Sequence, residues 1–587
     1  MPDSPSSPGP ASRSDPASRS ESWHKIVWAV LIVATLYICY FSHLGAIGLV
    51  GPDEPRYAWV ARDMAESNDW VTPRLYGHPW FEKPVLYYWS AALCFKLFGV
   101  SEATARLPSA LSALLATLAL TWLALRFAGR TTARWLLVLL PSCIGMIGFS
   151  HAAAPDMLFS ATLTIAMVCA AAALRLVPLR IPGGDAGSPE QNSSRMASGA
   201  ADITTDSGGA LIGVHANNKL WPALLLFGFF LGAAVLAKGP AAIILAGSAI
   251  LLWSILTKRW RDAFRLFHPI AIAAFLITSL PWYILCAHRN PDFLRVFILD
   301  HNFRRYLTPQ FQHIQPFWYY IPITFLALLP WTFWLAWFLR REARTYAIPS
   351  QRVQMFFITC WGAIPVLFFS LSKSKLPGYI LPAVPPLVCI ISLAVARGLN
   401  SSGRSPQYTL TSTGLLYMIS GASLAAAVFT SQSSNIIHTA VAAGPTPIYL
   451  LVFSLMLGGL AIIVATWWRA IAGMPTALVV TLLMLPPGYN LIGRLDPQLS
   501  ARTCAAQLDP ARAKNTYSFK LQRGWQYQLN FYLDREIPEW SPDILGHALV
   551  VTNEKSLSAL KQIAEIKNVV WNRSSQAEIV EVTPLPR

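Results

Sequence analysis

Charge is scarce in this chain: Asp, Glu, Lys and Arg make up 13% of its 587 residues, while 54% are hydrophobic. Soluble chains carry about 25% charged residues and divide at this length into several domains, so a water-soluble enzyme is excluded. Paired cysteines are also missing. Most of the eight Cys (Cys39, Cys143, Cys169, Cys286, Cys360 and Cys389 among them) stand singly inside apolar runs, with no C-x-x-C spacing. Neither a disulfide framework nor a thiolate metal site is indicated. No Walker loop, G-x-G-x-x-G fingerprint, G-x-S-x-G elbow or H-E-x-x-H helix occurs, so no nucleotide cofactor is expected. The net charge is +17, but the basic residues bracket apolar runs and form no continuous patch. Nucleic acid is therefore not an expected partner, whereas a bilayer with anionic lipid is.

What the chain does have is apolar runs of membrane-crossing length. They fall near 26–44, 103–127, 133–151, 157–177, 220–237, 240–257, 267–286, 317–339, 354–371, 378–396, 409–430, 448–467 and 473–490, about thirteen helical spans of some 20 residues each. The fold class expected is a polytopic α-helical membrane protein. Residues 1–23, rich in Ser, Pro and Arg, read as a disordered cytoplasmic tail. The run from Ile26 to Leu44 is too long for a signal-peptide core and has no small-residue cleavage site after it, so it reads as an uncleaved span. Placing the N-terminus in the cytoplasm puts Arg126, Arg130 and Arg134, then Lys258, Arg259, Arg261 and Arg265, then Arg340, Arg341 and Arg344 inside, as the positive-inside bias requires. Residues 24–400 then form the main membrane core, 401–490 further spans, and 178–218 a featureless cytoplasmic loop. Residues 491–587 lie outside as a small α/β domain, in which "YQLNFYL", "ALVVTN", "NVVW" and "AEIVEV" read as strands and "EKSLSALKQIAEI" as a helix.

That threading gathers ionisable residues on the outer face, including the cations Arg56, Lys83, Arg304, Arg305, Lys373 and Lys375. Something anionic outside would explain them, since charge at a membrane edge is costly without a partner or ligand. In "GPDEPRYAWVARDMAESNDW", Tyr57, Val60, Ala61, Met64 and Ala65 recur at helical spacing, and Asp53 either caps this amphipathic helix or presents a carboxylate above the bundle. In "HPWFEKPVLYYW", Lys83 precedes Pro84 and is held extended, so Glu82 and Lys83 point to opposite sides and each needs another partner. Lys83 suits a lipid phosphate or a structural salt bridge. His301, Arg304 and Arg305 lie within about one helical turn, next to the aromatic belt "FWYY". Asp156 and Lys375 sit at span ends on the same face, as site residues or as simple anchors.

Taken together, "PDEPRYAWVARDM", "DWVTPRLYGHPWFEKPVLYYW", "LFGVSEATARLPSAL", "AKGP", "HNFRRY", "PFWYYIP" and "SKLPGYILPAVPPL" resemble, in order, the superfamily of lipid A aminoarabinose transferases and protein O-mannosyltransferases. These are C-type glycosyltransferases, and the bacterial aminoarabinose branch is the most similar. The likeness covers roughly residues 45–400. It departs from the family at the insertion 178–218 and at Pro55.

The resemblance implies that a sugar on a polyprenyl phosphate is passed, with inversion, to an extracytoplasmic acceptor at the bacterial inner membrane. The acceptor would be lipid A, another glycolipid, or protein Ser and Thr. Asp53 matches the catalytic acidic residue and Asp156 a second one. Lys83, Arg304, Arg305, Lys375 and Tyr379 fall to the lipid phosphate, and Glu54 and Arg56 to the substrates. Glu82 and His301 match positions that hold a divalent metal. The residues alone leave two other readings open: a transporter, disfavoured because few charges lie mid-span, and a lipid-binding assembly protein.

Overall fold

The computed structural model describes residues 16–177, 220–304, 314–341 and 349–585, apart from 402, 431–440, 442–443, 509, 545 and 575. The expected loop 178–218, the first 15 residues and Arg305 lie outside the described residues. Helix α1, Pro16–Tyr40, starts within the stretch expected to be a tail, and its apolar part is Trp23–Tyr40. Helix α2, Asp53–Ser67, carries the opening outer motif. A short hairpin, β1 (Arg74–Leu75) with β2 (His78–Pro79), then leads to α3, Leu86–Phe98.

The long α4, Glu102–Leu139, begins at a capping box in which the Ser101 and Thr104 side chains bond each other's backbone N–H. It breaks at Gly129, whose φ of 85° is open to glycine. Helices α5 (Ile144–Ser150), α6 (Pro155–Ala173), α7 (Trp221–Lys238), α8 (Ala241–Thr257) and α9 (Pro269–Arg289) follow. After them come α10 (Tyr320–Ala327), α11 (Thr332–Arg341), α12 (Pro349–Leu371), α13 (Val384–Gly398), α14 (Ser405–Thr430), α15 (Thr446–Trp468) and α16 (Ala470–Arg494).

Among the described residues ten helices are long and apolar enough to cross a bilayer, or eleven if the pair 317–327 and 332–340, bent by 110°, counts as one span. The sequence count was higher for physical reasons. The runs 103–127 and 133–151 meet in one helix across the Gly129 break, and Ala241–Thr257 is apolar but short. Helices suit this solvent because each satisfies its own backbone.

Between helices, packing depends on small residues, as expected where lipid is as apolar as Leu. A Cβ at Gly228 of α7 would lie 2.0 Å from the Ala271 carbonyl oxygen of α9, and Gly414 and Gly459 meet in the same way between α14 and α15.

The C-terminal domain is a four-stranded sheet in the order β3-β4-β6-β5, from Thr516–Ser518, Ala548–Thr552, Ala577–Pro584 and Ala564–Ser574. β3 pairs with β4 in parallel and the other pairs are antiparallel. Helix α17, Arg523–Leu533, contains "YQLNFYL", which the sequence reading made a strand. Trp525, Gln528 and Leu529 repeat at i, i+3 and i+4 and are buried, so packing overrides the strand preference of Tyr and Phe. Trp525 and Leu529 cluster with Val551, Trp571 and Ile579. A second cluster, including Phe519, Trp540, Val550 and Val580 and closed by Leu560 of α18 (Glu554–Lys561), forms the rest of the core.

Replacing Gly228 by Val should force α7 and α9 apart and lower the unfolding temperature in detergent by several degrees, an overpacking cost of about 1–3 kcal/mol. An unchanged melting curve would contradict this packing.

Candidate functional site at one end of the bundle

Helix α2 sets the first group of residues. Asp53 is its first residue and Pro52 occupies the N-cap with no side-chain cap bond, so Asp53 does not cap the helix as expected. One turn later, Arg56 pairs with Asp53. Its Nη1 reaches Glu82 Oε2 at 2.9 Å, and its Nε donates to the Pro52 carbonyl at 2.9 Å. Glu82 Oε1 in turn stands 3.5 Å from Lys83 Nζ. The expectation that Glu82 and Lys83 are poorly placed to pair with each other is thus corrected. Alternation fixes where the two side chains leave the backbone, but their stems are long enough for the tips to meet.

The result is a continuous line of charge, Asp53–Arg56–Glu82–Lys83, of which Arg56 is 7% exposed and Asp53 53%. The Arg56 guanidinium lies 5.5 Å from the Trp80 ring and 5.4 Å from that of Tyr527, within cation–π range. Burial opposes its charge, but Glu82 and then Tyr57 and Asp53 outweigh that and raise its pKa. The Tyr57 hydroxyl is pushed well up by burial and then by Glu82, so it stays protonated.

Glu54 faces the other way. Its carboxylate takes Arg106 Nη2 at 2.7 Å and Nε at 3.1 Å, the Val50 N–H at 2.8 Å and the Ala153 N–H at 2.7 Å. Arg106 also donates to the carbonyls of Leu44, Ile47 and Gly48. Both side chains are buried. Glu54 and Arg56, expected to meet substrates, are therefore engaged within the protein, where they shape the outer loop. Arg106 was not picked out as a site residue, although an Arg inside an apolar run was a signal.

A second group forms where α6, α7 and the turn Pro377–Ala383 meet. Asp156 in the first turn of α6 pairs with Lys238 at the end of α7. The Lys238 ammonium sits 4.7 Å from the Tyr379 ring and 5.4 Å from that of Phe159. Lys238 was missed as a site residue, although "AKGP" marked it. A Cβ at Gly378 would fall 2.8 Å from Phe149 and 3.0 Å from Asp156 Oδ1, so only glycine lets this turn approach the carboxylate. Glu54 links the two groups, because Ala153 lies three residues before Asp156 and is fixed by its carboxylate.

Lys375 is buried, with Nζ donating to the carbonyls of Ser372 and of Gln315, the latter at 3.1 Å. Its recorded partners among the described residues are neutral. Burial, and then the nearby Lys373, lower its pKa.

Arg304 ends the π-helix Arg295–Arg304 and is exposed. The His301 side chain and Arg305 lie outside the described residues. A cleft of about 530 Å³ opens beside the first group, lined among others by Trp80, Phe81, Glu82, Arg289, Asn290 and Arg295. Among the described residues no three His, Cys, Asp or Glu side chains gather as a ligand set. Glu82 is bridged to Arg56 and Lys83.

Known proteins resemble this chain in sequence and in fold. Residues 25–180 and 214–297 match the family model for dolichyl-phosphate-mannose-protein mannosyltransferase. The undecaprenyl phosphate-alpha-4-amino-4-deoxy-L-arabinose arabinosyl transferase of Edwardsiella ictaluri is 31% identical over 392 residues, 66% of this chain and 62% of that protein. The Yersinia enterocolitica protein of the same name is 29% identical over 418 residues, 71% of this chain and 67% of that one. These similarities in sequence cover about two thirds of the chain. A likeness in fold extends over nearly the whole molecule. The crystal structure of ArnT from Cupriavidus metallidurans bound to undecaprenyl phosphate superposes with a TM-score of 0.71 at 22% identity, covering 94% of this chain and 98% of that one. In sequence, the match to the Edwardsiella relative spans 62% of its length.

Breaking the buried pair Glu54–Arg106 should be costly. Arg106→Met would leave Glu54 buried without its cation and should destabilise the protein by about 3–5 kcal/mol, with Glu54→Gln added on top restoring part of the loss. Denaturant unfolding in detergent checks both. Equal stability of Arg106→Met and wild type would contradict the role given to the pair.

Proposed function

We propose that the protein is a bacterial inner-membrane glycosyltransferase that takes a sugar from a polyprenyl phosphate and passes it, with inversion, to an acceptor outside the cytoplasm. The acceptor favoured is lipid A or a related glycolipid. The observation that carries this is the line Asp53–Arg56–Glu82–Lys83 at one end of a membrane bundle, in a chain whose relatives are named for an undecaprenyl-phosphate-linked aminoarabinose donor. The basic clusters support an N-terminus inside and a C-terminal domain outside.

In the proposed reaction the acceptor oxygen attacks the anomeric carbon. The bond from that carbon to the phosphate oxygen breaks and its electron pair leaves with the phosphate. Asp53, half exposed and held by Arg56, would take the proton of a hydroxyl acceptor. For an acceptor phosphate that is already ionised it would orient the nucleophile instead. Lys83 would stabilise charge growing on the leaving phosphate in a low-dielectric setting, joined by Arg304, Arg305, Lys375 and Tyr379. Asp156 and Lys238 would brace the Tyr379 side of this site.

Transfer from a radiolabelled polyprenyl-phosphate donor by membranes carrying wild type, Asp53→Asn or Lys83→Ala tests the reading. Wild type should transfer label, and each variant at normal protein level should lose about 100-fold or more, the scale of a missing base or charge stabiliser. Label in protein Ser or Thr would move the acceptor to protein, and full activity in both variants would overturn the site.

Lys375 adds a pH test. A phosphate dianion favours its protonated form, so affinity for polyprenyl phosphate should be strongest below the lowered Lys375 pKa and fall as pH rises through it. In Lys375→Met that part of the pH dependence should vanish, as read by titration of the purified protein. Identical pH profiles for the two proteins would remove Lys375 from the phosphate site.

A further inference from the structure

The outer α/β domain is attached to the loop that carries Asp53, at closely spaced points. The Gly48 N–H donates to Asp496 Oδ1 at 2.7 Å and the Leu49 N–H to the Tyr532 hydroxyl at 2.8 Å. A Cβ at Gly524 would come within 3.3 Å of the Gly51 carbonyl carbon and 3.4 Å of the Pro52 nitrogen, so the start of α17 lies against the two residues before Asp53. From the same helix Tyr527 covers the Arg56 guanidinium at 5.4 Å, with the Trp80 ring at 5.5 Å from that group. Tyr527 is itself held: Arg523 Nε donates to its hydroxyl at 2.9 Å and the Arg523 guanidinium stands 5.3 Å from its ring.

We propose that the C-terminal domain is a working part of the site and that Tyr527 is a positioning residue for Asp53, acting through Arg56. The proposal rests on the glycosyltransferase reading above. Asp53 is half exposed, so its orientation depends on its pairing with Arg56. Arg56 is held at its edge by Pro52 and Glu82, and the rings of Tyr527, Trp80 and Tyr57, at 5.4, 5.5 and 5.8 Å, restrain the guanidinium further. Without Tyr527 the nearest of these rings and the contact from the C-terminal domain go, and the carboxylate would shift with the guanidinium. A displacement of about 1 Å at a reacting group costs on the order of 100-fold in rate.

The test uses full-length protein. Tyr527→Leu keeps apolar volume and removes the π face, so it should lower kcat about tenfold or more with little change in donor KM. Tyr527→Phe keeps the ring and should retain most activity. Arg62→Ala loosens the same interface by breaking the 2.6 Å pair with Asp534, away from Arg56, and should keep wild-type kcat. Amide hydrogen exchange over residues 51–67, a readout that needs no turnover, should rise in Tyr527→Leu and not in Tyr527→Phe.

Wild-type kcat in Tyr527→Leu, an equal loss in Tyr527→Phe, or an equal loss in Arg62→Ala would each overturn the proposal. The last of these would reduce the domain to a brace. If wild type transferred no sugar, the glycosyltransferase reading would fail, and unchanged exchange in Tyr527→Leu would independently remove the positioning role.

Discussion

The end of this molecule that carries α2 depends on the buried pair between Glu54 and Arg106. Neither charge is stable there alone, because an ion taken out of water costs several kcal/mol unless its partner and hydrogen bonds compensate. Here the compensation is extensive. Arg106 gathers the carbonyls of Leu44, Ile47 and Gly48, and Glu54 gathers the N–H groups of Val50 and Ala153. One ion pair therefore fixes the exit of α1, the start of α2, the N-terminal part of α4 and the approach to α6. Asp53 and Asp156 lie within a few residues of these anchors, so their placement follows from the pair.

From that anchor the sequence-to-site chain can be followed residue by residue. In the first turn of α2, Asp53 and Arg56 share a face and Glu54 points to the opposite one, so three consecutive charges separate into an outward line and an inward lock. The outward line runs through Glu82 to Lys83, alternating in sign, which keeps a buried cation beside a half-exposed carboxylate. Opposite it, Asp156, Lys238 and Tyr379 close against Gly378. The C-terminal domain covers the first group through α17. Apolar packing between small residues holds the helices beneath, where lipid gives no hydrophobic drive for association.

Much of this was legible in the sequence. The helix at Asp53–Ser67 followed from the spacing of Tyr57, Val60, Ala61 and Met64, all of which are buried. The apolar runs located the spans, because run length is fixed by bilayer thickness. What misled the reading was of two kinds. Local pattern failed where tertiary contacts decide: "YQLNFYL" is β-prone in composition but packs as a helix, and the single residue Gly129 separates two runs within one element. Pairing failed where side chains are long. Nothing in the spacing of Glu82, Lys83, Arg56 or Lys238 says which tips meet, since partners such as Asp156 and Lys238 are 82 residues apart. Arg106 was visible only as an oddity in an apolar run.

The most direct measurement of the central claim is an experimental structure of the protein with polyprenyl phosphate bound in a lipid nanodisc. The account predicts the phosphate within hydrogen-bond reach of Lys83, on the side of the bundle where Lys375 and Tyr379 lie, with the lipid chain running down between spans. A phosphate bound at the opposite end of the bundle, or away from Lys83 altogether, would contradict it.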